Sequence, residues 1–173
     1  MKPANLHLCR LGLAYDFVKV LDFGLVKEQR PGQLGGGRRR FETAADVIPG
    51  TPAFMPPEAA LGQPLSGQAD VYGLGCVGYW LLTGQLVFEA ATPYQVLAQH
   101  IEQRPEAPSR RSEANIPPVL DALILACLEK SPGERPDAAA LAARLAAYAA
   151  DDPWTDSQAR AWWEHHLPAT TTP

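Results

Sequence analysis

The segment Val18-Lys19-Val20-Leu21 reads as a short strand, and Asp22-Phe23-Gly24 follows it at the head of a long polar loop. Ahead of that strand, Lys2-Pro3-Ala4-Asn5 offers a cation and an amide. Beyond the loop, Gly50-Thr51-Pro52-Ala53-Phe54-Met55-Pro56-Pro57-Glu58 combines a hydroxyl, a rigid backbone and a carboxylate. Phosphoryl transfer asks for these groups. Magnesium must be held against a triphosphate by an acidic residue and an amide, a cation must neutralise the transferred group, and a carboxylate must accept the hydroxyl proton. Each stretch also has a plainer reading. A strand ending in Asp-x-Gly is a common turn, and four residues at a chain start read as a frayed terminus. Their order along the chain and their setting give them weight.

The elements that must position these residues can be read from the pattern. Leu6-His7-Leu8 and Phe17 to Leu21 read as paired strands, with Gly12 and Tyr15-Asp16 in the turn region between them. From Leu25 to Pro57 the chain carries Gly35-Gly36-Gly37, Arg38-Arg39-Arg40, Pro49-Gly50 and Pro56-Pro57. A loop of that length in a compact domain is functional or mobile. After Glu58 the pattern turns helical. One helix is predicted from near Ser66 to Thr83, with Gly84 just past its end. A second follows Thr92-Pro93, with Thr as N-cap and Pro in the first turn. A third runs from Pro117-Pro118 to near Lys130, with Leu120, Leu123, Ile124, Cys127 and Leu128 on one face. A fourth starts at Pro136 and carries Leu141, Leu145 and Tyr148. A last one starts at Thr155, where Thr155-Asp156-Ser157-Gln158 fits a capping box. In it Ala159, Trp162, Trp163 and His166 share a face that is predicted to cover an apolar patch. Thr170 to Pro173 are expected to be disordered.

Taken in order, these motifs resemble the protein kinase family. Lys2-Pro3-Ala4-Asn5 resembles the end of the catalytic loop, His-Arg-Asp-x-Lys-Pro-x-Asn, in the Lys-Pro form of serine/threonine kinases. Asp22-Phe23-Gly24 matches the magnesium-binding motif. Gly50 to Glu58 resembles Gly-Thr-Pro-x-Tyr-Met-Ala-Pro-Glu, with Phe54 for Tyr and Pro56 for Ala. Asp70-Val71-Tyr72-Gly73-Leu74-Gly75 resembles the start of the central lobe helix. Lys130-Ser131-Pro132-Gly133-Glu134-Arg135-Pro136 resembles Lys-Asp-Pro-x-x-Arg-Pro late in the lobe. The resemblance covers about residues 2–149 and points to a bacterial-type serine/threonine kinase.

That resemblance implies a mainly α fold: the helical C-lobe of the α+β kinase-like fold, with a short N-terminal β-hairpin and a long activation loop. It divides the chain into a partial kinase domain at 1–149, with the activation segment at 22–58, and a helical extension and tail at 150–173. It implies ATP and Mg2+ as cofactors. Asn5 and Asp22 would hold the metal, Phe23 and Gly24 would complete the cofactor site, and Lys2 would sit near the transferred phosphate. Thr51 and Pro57 belong to the substrate side, Thr43 is the regulatory phosphorylation candidate, and Asp70 anchors the catalytic loop backbone. Arg135 is expected to reach Glu58. The partners implied are protein substrates with Ser or Thr acceptors. The Asn5-to-Asp22 separation is about four residues longer than the common pattern, which predicts a longer hairpin.

Kinase chemistry also needs a glycine-rich loop, a Val-Ala-Ile-Lys lysine with its glutamate partner, and a proton-accepting Asp. None is read in this chain. Met1 occupies the slot between the catalytic Asp and the Lys. The expectation is an internal methionine taken as the start, or a truncated gene, and a missing N-lobe segment. Nucleotide affinity would then be weak and the chain inactive alone. The alternatives are a non-catalytic kinase-like interaction module and a decayed remnant.

Composition bounds the rest. A chain of 173 residues with 46% hydrophobic and 20% charged residues can build one domain with a core. A formal net charge of −4 speaks against a nucleic-acid partner. The longest apolar stretch, Val71 to Leu82, is too short to span a bilayer. Cys9, Cys76 and Cys127 have no CxxC spacing and are read as reduced, buried thiols of a cytoplasmic protein. Gly73-Leu74-Gly75-Cys76-Val77-Gly78 satisfies GxGxxG, but it lies within a helical pattern. Its glycines are predicted to permit close helix packing rather than to cradle phosphate. Gly35 to Arg40 is read as a solvated loop rather than an anion cradle, and His165-His166 as surface rather than ligand.

Overall fold

A computed structural model of the chain describes residues 1–12, 14–21, 51–151 and 153–167. The chain opens with a 3-10 turn at Pro3–Asn5, then β1 (Leu6–Leu11) and β2 (Ala14–Val20). The two strands pair antiparallel, with Leu6 opposite Val20, Cys9 opposite Phe17 and Leu11 opposite Ala14. The hairpin is long, as expected, but its strands run further towards the tip, and Tyr15 and Asp16 lie within β2 rather than in the turn. The register shifts between Cys9 and Leu11, and this bulge lets pairing continue almost to the tip. The turn itself holds Gly12 at φ 60, a left-handed backbone that suits glycine.

The second described block is helical: α1 (Pro57–Ala60), α2 (Gly67–Thr83), α3 (Pro93–Glu102), α4 (Pro118–Cys127), α5 (Ala138–Asp151) and α6 (Asp156–His166). Local sequence accounts for most of the boundaries. Gly84 ends α2 at φ 69 and donates to Trp80 O. Capping boxes open α3 at Thr92 with Gln95, and α6 at Thr155 with Gln158. Two boundaries differ from expectation. The helix α4 stops at Cys127 instead of near Lys130, and the carbonyls of Glu129 and Lys130, beyond its end, accept from Arg135. The helix α5 starts at Ala138 rather than Pro136, because Asp137 Oδ1 caps it by accepting from Ala140 N–H at 2.7 Å.

The central helix α2 is buried around much of its circumference, and two apolar clusters flank it. Tyr72, Cys76 and Tyr79 pack with Val87, Phe88 and Leu128. Val71 packs with Leu123, Cys127 and Leu141. Leu123, Cys127 and Leu128 are fully buried, and Leu120 and Ile124 pack at the edges, so the apolar stripe of α4 meets the core. In α5 only Leu141 of the three predicted positions is buried; Leu145 stays exposed. Cys76 and Cys127 are buried thiols, and burial pushes them up to about 12 and about 11. Cys9 is only half-buried, and its Sγ donates to Phe17 O at 3.1 Å.

The GxGxxG glycines serve packing. A Cβ on Gly75 would sit 2.7 Å from the Cys127 Cβ, whereas one on Gly78 would meet the movable Ile124 Cδ1. Gly75→Ala is therefore expected to cost about 1–3 kcal/mol. Gly78→Ala, which also gains helix propensity, should come close to neutral. Urea melts of the two variants check the contrast; equal midpoints would refute it.

Candidate functional site

The sequence-predicted site residues fall into three groups. Asp22, Phe23, Gly24 and Thr43, with the Gly35 to Arg40 stretch and Thr170 to Pro173, lie outside the described residues. Lys2 and Asn5 share the first 3-10 turn, where Asn5 N–H donates to Lys2 O at 3.0 Å. Thr51, Pro57 and Glu58 lie at and after the end of the loop.

The hairpin brings Leu21 back to the second group. Antiparallel pairing returns the chain so that Leu21 N–H donates to Asn5 O at 2.7 Å. The Lys2–Asn5 turn therefore lies against the residue that immediately precedes Asp22. Met1 sits over Gly73 of α2, and its amine lies 3.6 Å from Asp70 Oδ1. The Asp70 side chain is 74% exposed, so this pair adds little stability.

The end of the predicted activation segment is held far more firmly. Thr51 is exposed and precedes a 3-10 turn at Pro52–Phe54, whose Phe54 packs against the Tyr72 cluster. Pro57 opens α1, and Glu58 on that short helix is 2% exposed. Arg135, 4% exposed, meets it end-on. Its Nη1 donates to Glu58 Oε1 at 2.7 Å and its Nη2 to Oε2 at 2.8 Å. The remaining N–H groups go to Glu129 O at 2.7 Å, Gln68 O at 2.9 Å and Lys130 O at 3.0 Å. All five guanidinium donors are thus used, and the Tyr72 ring lies 4.8 Å from the guanidinium carbon. One side chain ties α1, the start of α2 and the end of α4 together.

Similarity to known proteins agrees with this arrangement. The protein kinase domain family matches residues 1–145. The serine/threonine-protein kinase pkn3 of Myxococcus xanthus is 37% identical over 80% of the chain and 25% of its own length. The serine/threonine-protein kinase PknB of Mycolicibacterium smegmatis is 38% identical over 81% of the chain and 21% of its own. PksC of Streptomyces coelicolor, also a serine/threonine-protein kinase, is 34% identical over 78% of the chain and 22% of its own. The chain belongs to the protein kinase family. It spans a quarter or less of the length of these curated relatives. No helix among the described residues is long and apolar enough to cross a membrane.

Around the kinase-family motifs the structure adds residues that sequence reasoning missed. His100 of α3 is fully buried, and its Nδ1 shares a hydrogen bond with Tyr72 Oη at 2.8 Å. Its Nε2 faces the Ala53 backbone without a partner at full hydrogen-bond geometry among the described residues. Burial, helped by the nearby Lys130 charge, pulls the imidazole down to about 4 against the opposing pull of the Ala53 backbone. Lys130 Nζ donates to His100 O at 2.7 Å and lies 4.8 Å from the Phe88 ring centre. Burial pulls that ammonium down to about 8. Burial also keeps the Tyr72 hydroxyl protonated. His100 thus lies directly under the 3-10 turn that follows Thr51. No local motif announces it, because only the fold brings Tyr72 and Ala53 to it.

Asp16 was also missed. It accepts from Trp154 Nε1 and Trp163 Nε1, each at 2.7 Å. The predicted face of α6 therefore divides. Ala159 and Trp163 turn inward, while Trp162 and His166 stack on each other at the surface.

Proposed function

We propose that the chain is the helical, substrate-side lobe of a serine/threonine protein kinase, with residues 1–149 forming the lobe and 150–173 an extension. In this reading the protein is cytoplasmic, and the kinase to which this lobe belongs transfers the ATP γ-phosphate to Ser or Thr hydroxyls of protein substrates. The observation that supports it is the Leu21 N–H bond to the backbone carbonyl of Asn5, which brings residue 5 next to the residue that precedes Asp22 in sequence. An amide oxygen and a carboxylate are hard oxygen ligands of the kind magnesium takes. Asn5 and Asp22 would hold it, with Phe23 and Gly24 completing the motif. The metal supplies charge neutralisation on the triphosphate. Lys2 would balance charge on the transferred phosphoryl group, Thr51 would orient the acceptor hydroxyl, and Thr43 would carry regulatory phosphate. The Glu58–Arg135 pair would keep the end of the activation segment at a fixed height against the lobe.

A titration of Mn2+ with ATP into the whole chain tests the reading. Weak binding is expected, and it should drop at least tenfold in Asp22→Asn, where loss of one metal-bound charge is worth more than a neutral hydrogen bond. Equal binding by both proteins would sink the assignment. One observation favours an interaction module as a second reading. Leu8 and its cross-strand neighbour Val18 are 51% and 54% exposed, apolar surface on the hairpin that a further protein element could cover. Nucleotide-independent self-association of the chain, lost in Leu8→Ser, would favour that reading.

A further inference from the structure

A two-stranded hairpin on its own is marginally stable in water. Among the described helices, α6 makes the principal packing on this one, and it comes from the opposite end of the chain. Asp16 is the anchor. One carboxylate oxygen takes the Trp154 indole N–H and the other takes that of Trp163, each at 2.7 Å. Both are hydrogen bonds to a charged acceptor, the stronger kind. Asp16 also stands at φ 55, a left-handed backbone that residues with a side chain adopt sparingly. Such a conformation persists where the surroundings hold it. Its neighbour Tyr15 has two guanidinium groups over its ring, Arg10 of β1 at 5.4 Å and Arg160 of α6 at 5.7 Å from the centre. The register break between Cys9 and Leu11 falls at the same level of the hairpin. Bulge, left-handed residue, two cation–π contacts and paired indoles thus converge on one seam between the tail helix and β2.

The far end of the same strand leads to Asn5. From Asp16 to Leu21 the strand covers roughly 17 Å, and there Leu21 N–H closes on Asn5 O. We propose that α6 clamps the hairpin, and that Asp16, with Trp154 and Trp163, positions Asn5 against Leu21 from the opposite end of the sheet. The clamp itself follows from the seam; its positioning role rests on the metal site proposed above.

Amide hydrogen exchange by NMR on the full chain, paired with Mn2+ titration, tests both parts. The variants are Asp16→Ala, Asp16→Asn and Trp163→Phe, the last keeping a ring and losing the donor. In Asp16→Ala the Leu21 amide and its β1–β2 neighbours are expected to lose protection about tenfold or more, while the α2 and α4 amides keep theirs. Asp16→Asn retains an acceptor and tolerance of the left-handed backbone, so it should fall between the wild type and Asp16→Ala. Mn2+ affinity should weaken in the same order. Unchanged hairpin protection in both Asp16→Ala and Trp163→Phe overturns the clamp. Lost protection with unchanged Mn2+ affinity overturns the positioning role. A wild-type chain that binds no Mn2+ overturns the metal reading and the positioning role with it, and exchange alone then decides the clamp.

Discussion

Replacing Arg135 by alanine is expected to remove about 3–5 kcal/mol of folding stability, the cost of leaving a buried carboxylate without its partner. The figure is large against the roughly 5–15 kcal/mol that holds an ordinary domain together. Glu58 is 2% exposed, and Arg135 supplies both hydrogen bonds to its carboxylate. The same change frees three backbone carbonyls, at Gln68, Glu129 and Lys130, that Arg135 had satisfied. Arg135→Lys should lose most of this as well, since an ammonium cannot reproduce the planar fork. The informative control is Glu58→Gln combined with Arg135→Met. Removing both charges together should recover part of the single-variant loss, because the uncompensated charge is then gone. Guanidinium melts with unchanged slope give the comparison. A single-variant loss below about 1 kcal/mol would place the pair among weak surface contacts and refute the argument.

The Arg135–Glu58 contact spans 77 residues, yet it was legible in advance because both partners sit in motifs whose resemblance carries the pairing. The caps at Thr92, Thr155 and Gly84 were legible for a different reason: their partners lie within one helical turn. What escaped the sequence lacks both supports. Tyr15 and Asp16 looked like turn residues because Asp favours turns. Their place in β2 depends on a bulge and on indoles 138 and 147 residues away. Thr155-Asp156-Ser157-Gln158 announced α6, and its apolar face was visible, but that the face would divide and send Trp163 to a carboxylate was not. The extent of α4 was misjudged because the apolar periodicity, which continues through the C-cap residue Leu128, does not mark where the helix ends. In the proposed site, Asn5 is chosen by residue type and motif, but its proximity to Leu21 is a matter of strand register, which the spacing between motifs left open. His100 carries no signal at all, since its meaning is its burial.

That burial sets the second large effect. The unfolded chain takes up a proton at His100 near pH 6.5, whereas the folded chain resists until about pH 4. Between those values the unfolded state binds more protons, so stability rises with pH there and falls on acidification. The contribution is fully present above about pH 6.5 and is gone by about pH 4. Its size is up to about 3 kcal/mol. Lys130 does not confuse the window, because its ammonium, pulled down to about 8, stays charged throughout it. Tyr72 does not titrate there either, since burial raises it. The expected result is a stability profile that declines from pH 6.5 towards pH 4.5, measured by urea melts at fixed ionic strength. His100→Gln can keep a hydrogen bond to Tyr72 and cannot titrate, so its profile should be flatter over that range. The ring lies under the 3-10 turn at Pro52–Phe54, so protonating it strains the floor beneath Thr51 before the rest of the lobe gives way. Loss of amide protection at Ala53 and Phe54 should therefore precede loss at α4 as the pH falls. A wild-type profile with the same slope as that of His100→Gln would assign the acid sensitivity to carboxylates instead.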